Sequence, residues 1–389
     1  MSETRKAIII GAGPAGLATA LRLHCHNSIS CVVYELRSEP TTLGGAIGIL
    51  SNGLRLFDRL GVYDDLLARG YSGTQLTLHS LGGGVVGSQD YVGWARRKTG
   101  YGYLRIKRTD LMDVLLDAVR KEGIEVRYGM RMKDIEDRED GVTVVFEDGY
   151  RDSADVLLGC DGIHSQVRRL FVDPGLLSEY SGIAGSLALI PAEVLRPGSV
   201  EMMSGLHVMM TEDGMVIVNP CMPKKEEILW GFSREVPLPE SGDGRDGWEE
   251  TRRAEVEGLK DSMMKILESS RGEWGGVVKD LVRNTSVVKF HPIYRLPLDV
   301  FLVSRLLEDP NRSLSDVFAR FDEIRRPRVN AIYTKAADNA GTRKKTGPWG
   351  LWIKETAFGI YTGVSGALGL DKLGIGERHL VYDIDDVEL

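Results

Sequence analysis

The amino-terminal part of the chain alternates short apolar runs with glycine-rich and polar segments. Lys6 to Ile10 is a continuous β-prone apolar run, which is typical of a strand covered on both faces in a parallel sheet. The segment Gly11 to Gly16 follows at once, and apolar positions at helical spacing continue over residues 17–23. A second β-prone run, Ser30 to Tyr34, ends at Glu35. This order predicts a compact βαβ unit.

Two later segments extend this pattern. The spacing predicts helices over residues 51–60 and 64–69, and a longer one that begins just after Arg108, with Thr109 as its N-cap. Farther along, the apolar run Val156 to Leu158 ends in Gly159-Cys160-Asp161-Gly162, which is a third junction between a strand and a loop.

The pattern changes twice, and the two changes predict the domain organisation. Residues 1–177 form the first part of an α/β, Rossmann-like domain, and residues 178–295 form a β-rich domain with one charged helix near Trp248 to Ser269. Residues 296–389 return to helices, including one over 314–340 that Pro327 bends or divides, and complete the first domain. The first domain is therefore expected to be discontinuous.

Composition excludes several classes of protein. The 49 Lys and Arg residues against 56 Asp and Glu give a net charge of −7, which does not suit a nucleic acid partner. Four irregularly spaced cysteines predict neither a disulfide framework nor a metal site, and they favour a reducing, cytoplasmic location. No run reaches the roughly 20 apolar residues of a membrane-spanning helix. The apolar segment from Ala357 to Leu370 is shorter, and we expect it to be packed or interfacial.

Candidate chemistry begins at Gly11, Gly13 and Gly16, which lie between the first strand and the helix. In such a turn the first glycine allows the bend, the second lets a pyrophosphate approach, and the third lets helix and strand pack closely. The free N–H groups at the helix start attract phosphate. Glu35, 19 residues after Gly16, can accept hydrogen bonds from ribose hydroxyls. The sequence therefore predicts binding of an adenine dinucleotide such as FAD or NAD.

Several segments together resemble the single-component (group A) FAD-dependent monooxygenases of the para-hydroxybenzoate hydroxylase and salicylate hydroxylase type, with fungal secondary-metabolite members the most similar. The matching segments are Gly11 to Gly16, Glu35, Gly45 to Gly53, Arg108 and Asp161 to Arg168. The likeness is dense over residues 1–172, moderate over 300–340, and visible only in outline in the β-rich domain.

The resemblance implies an FAD-binding domain, a substrate domain and a reaction that uses NAD(P)H and O2 to hydroxylate or epoxidise a small electron-rich aromatic, polyketide or terpenoid molecule. It implies that Glu35 holds the adenosine ribose, Gly48 lies against the cofactor, and Arg108 contacts its phosphate side. Asp161 and Gly162 would serve both flavin and nicotinamide. The flavin carries the chemistry, so no protein residue is assigned as catalytic.

One feature of the family is missing from the sequence. Members carry a third motif, a strand ending in Gly-Asp followed by a loop that opens a helix near the flavin, and a few dozen residues corresponding to it are absent between Asp299 and Val300. An omitted exon, an inactive truncated product and a rewired site are the three explanations, in that order. The alternative function is a non-catalytic nucleotide-binding protein. A flavin halogenase would share the first motif, but the Trp-x-Trp-x-Ile-Pro segment is not found.

Overall fold

The computed structural model describes residues 5–40, 45–175, 178–240, 247–295, 301–309, 312–374 and 376–388. The helices are α1 (Pro14–Asn27), α2 (Ser51–Arg59), α3 (Tyr63–Leu67), α4 (Gly93–Thr99), α5 (Arg108–Lys121), α6 (Gly247–Ile266), α7 (Gly272–Arg283), α8 (Phe301–Leu306), α9 (Leu314–Ala340) and α10 (Pro348–Leu368). The strands are β1 (Lys6–Ile10), β2 (Ser30–Tyr34), β3 (Ala46–Ile49), β4 (Gln75–His79), β5 (Val85–Asp90), β6 (Leu104–Lys107), β7 (Glu125–Arg127), β8 (Met132–Arg138), β9 (Gly141–Phe146), β10 (Arg151–Ala154), β11 (Val156–Gly159), β12 (Glu179–Pro191), β13 (Gly205–Met210), β14 (Gly214–Pro220), β15 (Glu227–Glu235) and β16 (Lys289–Arg295).

A four-stranded parallel sheet has the order β11-β1-β2-β7. We call this sheet, with the helices on one face and the small antiparallel sheet on the other, the first layer system. Ala7 and Ile9 face α1 and α5, whereas Ile8 and Ile10 face the small antiparallel sheet of β8, β9 and β10. All four side chains are buried, which explains why β1 is apolar from Ala7 to Ile10. Burying each isoleucine contributes about 1.5–3 kcal/mol to the free energy of unfolding. The βαβ unit predicted from the sequence is confirmed.

A second, seven-stranded sheet has the order β16-β12-β15-β14-β13-β4-β5. One face packs against α6 and α7 through a core that includes Trp230, Met263 and Trp274. The sequence assigned residues 75–90 to the first domain, but β4 and β5 belong to this sheet, and β4 pairs in parallel with β13. That boundary was wrong because the pairing joins segments more than a hundred residues apart.

The carboxyl-terminal helices return to the first layer system. Ser304 on α8 makes three hydrogen bonds to α1: its Oγ accepts from Arg22 Nε at 2.9 Å and donates to Asn27 Oδ1 at 2.7 Å, and its carbonyl oxygen accepts from Asn27 Nδ2 at 2.9 Å. Near the end of the chain, the Asp383 carboxylate accepts hydrogen bonds from Arg55 Nη1 and from Nη1 and Nη2 of Arg59, at 2.5–2.7 Å. Burial alone would raise the pKa of Asp383, but these arginines hold it far below its ordinary value. The tail is thereby fixed to α2.

Three details of the helices differ from the sequence prediction. The helix expected to begin after an N-cap at Thr109 starts at Arg108, because Lys107 is the last residue with extended backbone. Pro327 lies inside α9, which runs through it undivided. Helix α7 was not predicted, since its glycines hide the apolar spacing. Within the described residues no helix is long and apolar enough to cross a membrane.

A buried histidine pair predicts how stability depends on pH. His79 Nε2 and His207 Nδ1 lie 2.9 Å apart, and the Trp274 ring stacks on both with centroids at 4.2 and 4.5 Å. Burial lowers the pKa of His79 to about 4 and that of His207 to about 3, the latter with help from the charge of Lys225. The unfolded chain therefore binds protons first as the pH falls below 6.5.

We expect stability to be fully present above pH 6.5 and to fall as the pH drops through the folded pKa values, by about 3 kcal/mol for His79 and about 5 kcal/mol for His207. Denaturant titrations over this range measure the slope. The double variant His79→Leu, His207→Leu should lose most of it, whereas His26→Gln, on an exposed residue, should keep it. An unchanged slope in the double variant would contradict the assignment.

Candidate cofactor site

The candidate site lies where three neighbouring parallel strands end. β1 runs into Gly11, β2 into Glu35 and β11 into Asp161, and the order β11-β1-β2 brings these three ends to one edge of the sheet. Gly11 N–H donates to the Tyr34 carbonyl at 2.7 Å, and Cys160 N–H donates to the Ile10 carbonyl at 2.8 Å. These bonds tie the three loops together at the edge where open α/β sheets bind ligands.

The three glycines of the first turn have different surroundings. Gly11 has φ +106°, and a Cβ there would lie 2.5 Å from the Cys160 carbonyl oxygen. A Cβ on Gly16 would lie 1.9 Å from the Gly11 carbonyl oxygen. A Cβ on Gly13, the residue that precedes α1, would have no atom within 4 Å. Gly11 and Gly16 are thus required for packing, whereas Gly13 leaves open space beside the helix N-terminus, where a phosphate would approach.

Glu35 is held against this turn by backbone donors. Its Oε2 accepts from Ala12 N–H at 2.9 Å, and its Oε1 accepts from Arg37 N–H at 3.0 Å. Each carboxylate oxygen keeps a further lone pair for another donor. The carboxylate is therefore placed beside the glycine turn, with capacity left for the hydroxyl groups of a ligand.

The loop after β11 contains buried polar atoms with unused hydrogen-bonding capacity. Asp161 Oδ2 accepts from Gln166 N–H at 2.6 Å and from Val167 N–H at 3.3 Å, while its Oδ1 is buried with no partner among the described residues. Gly162 has φ +77°, a conformation that favours glycine. Arg168 is buried and donates from Nη2 to the Ile163 carbonyl, leaving Nε and Nη1 without a described partner. Such orphaned atoms fit a site that binds a polar ligand.

Gly48 lies on a different structure, the two-stranded ribbon of β3 and β6, and Arg108 is the first residue of α5, which follows that ribbon. Gly48 pairs with Arg105, and a Cβ on Gly48 would lie 2.6 Å from the Tyr103 hydroxyl. Arg108 follows β6 directly; its N–H donates to the Gly45 carbonyl at 3.0 Å, and its side chain is exposed. The pKa of His291 on β16 is lowered mainly by burial and, to a smaller extent, by the positive charge of Arg108. The ribbon thus joins the first layer system to the seven-stranded sheet.

Sequence reasoning missed a polar group beside Gly48, which we call the Tyr103 cluster: Tyr91, Tyr103, Arg105 and Asn219. Tyr91 and Tyr103 meet edge to face with centroids 5.3 Å apart, and Asn219 Nδ2 donates to Tyr103 Oη at 3.4 Å. Asn219 Oδ1 and Arg105 Nε are buried without a described partner. Burial raises the pKa of both phenols, so both are protonated near neutral pH. The polar residues of β6 just before Arg108 were the available signal.

Residues 4–235 match the family model described as an FAD binding domain. This match covers more than half of the chain and includes the glycine turn, Glu35 and the Asp161 loop. The chain belongs to the FAD-binding domain family. The open space at Gly13 and the orphaned Asp161 oxygen agree with a bound dinucleotide, so FAD as the cofactor and the family resemblance seen in the sequence are confirmed.

Known members are similar to this chain over different lengths. The 3-amino-4-hydroxybenzoate 2-monooxygenase of Streptomyces cremeus is 32% identical over 48% of this chain and 46% of its own length. The 6-hydroxynicotinate 3-monooxygenase of Pseudomonas fluorescens is 26% identical over 79% of this chain and 75% of its own length. The chain thus spans less than half of the first relative and three quarters of the second. Both relatives are named monooxygenases.

The overall fold is also that of a solved protein. The structure of Klebsiella pneumoniae HpxO complexed with FAD and uric acid aligns with a TM-score of 0.75, 21% identity and coverage of 95% of this chain and 96% of that chain. This confirms the predicted α/β, Rossmann-like fold class. The junction at Asp299 and Val300, where the third motif is missing from the sequence, lies outside the described residues.

Among the residues that the structure describes, no group of three or more His, Cys, Asp or Glu side chains could hold a metal ion.

Proposed function

We propose that the chain is an FAD-dependent monooxygenase that inserts one oxygen atom into a small electron-rich organic molecule. The balanced reaction consumes substrate, O2, NAD(P)H and a proton, and it yields the oxygenated product, NAD(P)+ and water. The observation that supports this most strongly is the meeting of the Gly11 to Gly16 turn, Glu35 and Asp161 at one sheet edge. When bound there, FAD would supply the electron transfer from NAD(P)H and the activation of O2.

The chain's own residues would bind and orient that cofactor. The free N–H groups at the start of α1, reached past Gly13, would bind the pyrophosphate. Glu35 would accept hydrogen bonds from the adenosine ribose, because each of its oxygens keeps a lone pair. Asp161 Oδ1 and Gly162 would face the flavin, with the nicotinamide approaching the same loop. Gly48 would lie against the cofactor and the exposed Arg108 would reach its phosphates.

The Tyr103 cluster is our candidate for the substrate end of the site. It lies beside Gly48 and offers a phenol, a guanidinium and an amide with unused capacity, which suit the hydroxyl, carboxylate or ring nitrogen of a small aromatic molecule. The names of the two monooxygenase relatives, which specify a benzoate and a nicotinate, support an aromatic substrate over a polyketide or terpenoid. The seven-stranded sheet would exclude water from this end.

The test is the absorption spectrum of the purified chain with FAD, before and after NADPH or NADH is added. We expect flavin absorbance to bleach under anaerobic conditions and to return with O2, and we expect an aromatic substrate to accelerate the bleaching. FAD should dissociate more readily than from HpxO, because the segment of the third motif is missing. Tightly retained FAD would contradict this weaker binding.

The competing function is a nucleotide-binding protein that has lost the oxidative reaction. It predicts that FAD binds but that its absorbance does not change with either nicotinamide over the same period. Oxygen-dependent NAD(P)H consumption would exclude it. If FAD is bound but no NAD(P)H is consumed, the nucleotide-binding function is favoured over the monooxygenase.

We further propose a cytoplasmic location for the chain. Cys25, Cys31, Cys160 and Cys221 are all free thiols. Burial raises the pKa of Cys31, Cys160 and Cys221 to about 12, so these three stay protonated and unreactive. A reducing compartment agrees with the four free thiols, and its supply of NAD(P)H agrees with the proposed reaction. Fractionation of cells that express a tagged chain would test the location. The cytoplasmic fraction, rather than a secreted or organellar fraction, should contain the chain.

A further inference from the structure

Helix α10 presents a large apolar surface to solvent. We define the α10 stripe by its exposed side chains Trp349, Trp352, Ile353, Ile360, Val364 and Leu368. Their exposed fractions include 79% for Trp349, 61% for Ile360 and 69% for Leu368. Contiguous apolar surfaces of this kind on a folded protein mark a contact with something else. The stripe is not part of the candidate cofactor site.

The stripe lies on one side of the helix and runs along it. Positions 349, 353, 360 and 364 are separated by four, seven and four residues, which is the spacing of a single helical face. At 1.5 Å per residue, 21 residues give a length of about 30 Å. The charged residues of α10 are Lys354 and Glu355. Glu355 is half-buried towards the Leu81 backbone, and burial raises its pKa.

Packing fixes the stripe in its outward orientation. The opposite side of α10 lies on β5: a Cβ on Gly359 would lie 3.3 Å from the Val86 carbonyl oxygen, and a Cβ on Gly87 would lie 2.3 Å from Thr362 Oγ1. Leu351 and Ser365 are buried on that side. The helix is therefore seated through small residues, and turning the stripe inward would require β5 to move.

The chemistry around the stripe indicates its partner. Lys344 and Lys345 lie just before α10 and are exposed, and the half-exposed Lys354 lies within it. Lys345 also forms a solvent-exposed ion pair with Asp213 at 3.4 Å, which is weak enough to exchange for a headgroup phosphate. Trp349 and Trp352 lie at the same end, with ring centroids 6.4 Å apart. Exposed tryptophans and lysines beside an apolar helical face are the composition of helices that lie in the interface of anionic bilayers. Phosphate headgroups would complement the charge of these lysines.

We propose that α10 docks the protein on an anionic lipid bilayer. The stripe lies in the boundary between headgroups and acyl chains, parallel to the membrane plane, and Lys344, Lys345 and Lys354 bind the headgroup phosphates. The contact is peripheral and reversible, and it holds whether or not the monooxygenase proposal is correct.

The test is co-sedimentation of the full chain with vesicles of phosphatidylcholine alone or mixed with phosphatidylserine. We expect binding to the mixed vesicles that weakens at high salt, and we expect the triple variant Trp349→Ser, Ile353→Ser, Ile360→Ser to bind at least about tenfold more weakly. The charge-reversal variant Lys344→Glu, Lys345→Glu should also bind more weakly. The matched control is Leu238→Ser, Val287→Ser, which removes two exposed apolar side chains, 50% and 64% exposed, that lie on neither α10 nor β5. It should bind like the wild type.

Absence of binding to either vesicle, or equal binding by the triple variant, would overturn the proposal. So would a wild-type dimer in solution that the triple variant abolishes while vesicle binding is unaffected, since the stripe would then be the interface of a second copy. If the triple variant does not fold, brominated lipids provide a measurement on the wild type. Quenching of its tryptophan fluorescence by those lipids supports docking, and unchanged fluorescence contradicts it.

Discussion

Replacing Gly16 by alanine is expected to abolish FAD binding and to destabilise the fold by more than about 3 kcal/mol. The new Cβ would lie 1.9 Å from the Gly11 carbonyl oxygen, an atom of the backbone that cannot rotate away. Either α1 must shift from β1 or the turn must open, and both displace the N–H groups that would hold the pyrophosphate. Urea titration of the apo chain and a titration with FAD measure the two effects.

Gly13→Ala is the matched control for this variant. Gly13 precedes α1 with φ −77° and ψ 179°, which alanine adopts readily, and its Cβ would meet no atom. The free energy of unfolding should therefore stay within about 1 kcal/mol of the wild type. FAD affinity should still fall at least about tenfold, since the methyl group occupies the space of a phosphate. Equal stability losses in both variants would contradict the different roles given to these glycines.

Replacing Glu35 by alanine is expected to weaken FAD binding by about a hundredfold. A hydrogen bond to a charged group is worth about 1.5–3 kcal/mol, and the variant removes those to the ribose. It also leaves the N–H groups of Ala12 and Arg37 without their acceptor, which loosens the glycine turn. Isothermal titration with FAD measures the loss.

Two further variants separate the causes. Glu35→Gln keeps a neutral acceptor and should lose only about tenfold in affinity. Glu39→Ala removes an exposed carboxylate from the same loop and should bind FAD like the wild type. If Glu39→Ala weakened binding as much as Glu35→Ala, the effect would come from net charge, and Glu35 would have no specific role.

The parts of the fold that sequence reasoning predicted well depend on neighbouring residues. The strands β1 and β2, the helix between them and the run at Val156 to Leu158 each carry their own pattern, and one glycine turn connects the first two. The placement of Asp161 beside that turn follows from strand order, because β11 is parallel to β1. The roles assigned here to Gly48, Arg108, Asp161 and Gly162 stay predictions.

The errors have a common physical origin in contacts between distant segments. Nothing in the sequence of β4 indicates that it pairs with β13 rather than with a strand of the first domain. The start of α5 depends on the ribbon geometry at Lys107, and the favourable cap residue Thr109 was therefore misleading. Long-range pairing and packing override local preference at such positions.

The Tyr103 cluster was missed for the same reason. Its members come from three separate segments, and only β6 lies near a recognised motif. Tyrosine, arginine and asparagine are ordinary surface or core residues until the fold brings them together. Burial of Asn219 and the close approach of Tyr103 to Gly48 become visible only in the folded chain.

The measurement that tests the central claim most directly is a competition experiment on the native wild-type chain. The site described here recognises the adenosine half of a dinucleotide, through the glycine turn and Glu35. Bound FAD, followed by flavin fluorescence, should therefore be displaced by ADP, whereas FMN, which lacks adenosine, should bind weakly. Tight binding of FMN with no effect of ADP, or no binding of FAD to a chain with a native circular dichroism spectrum, would contradict the account.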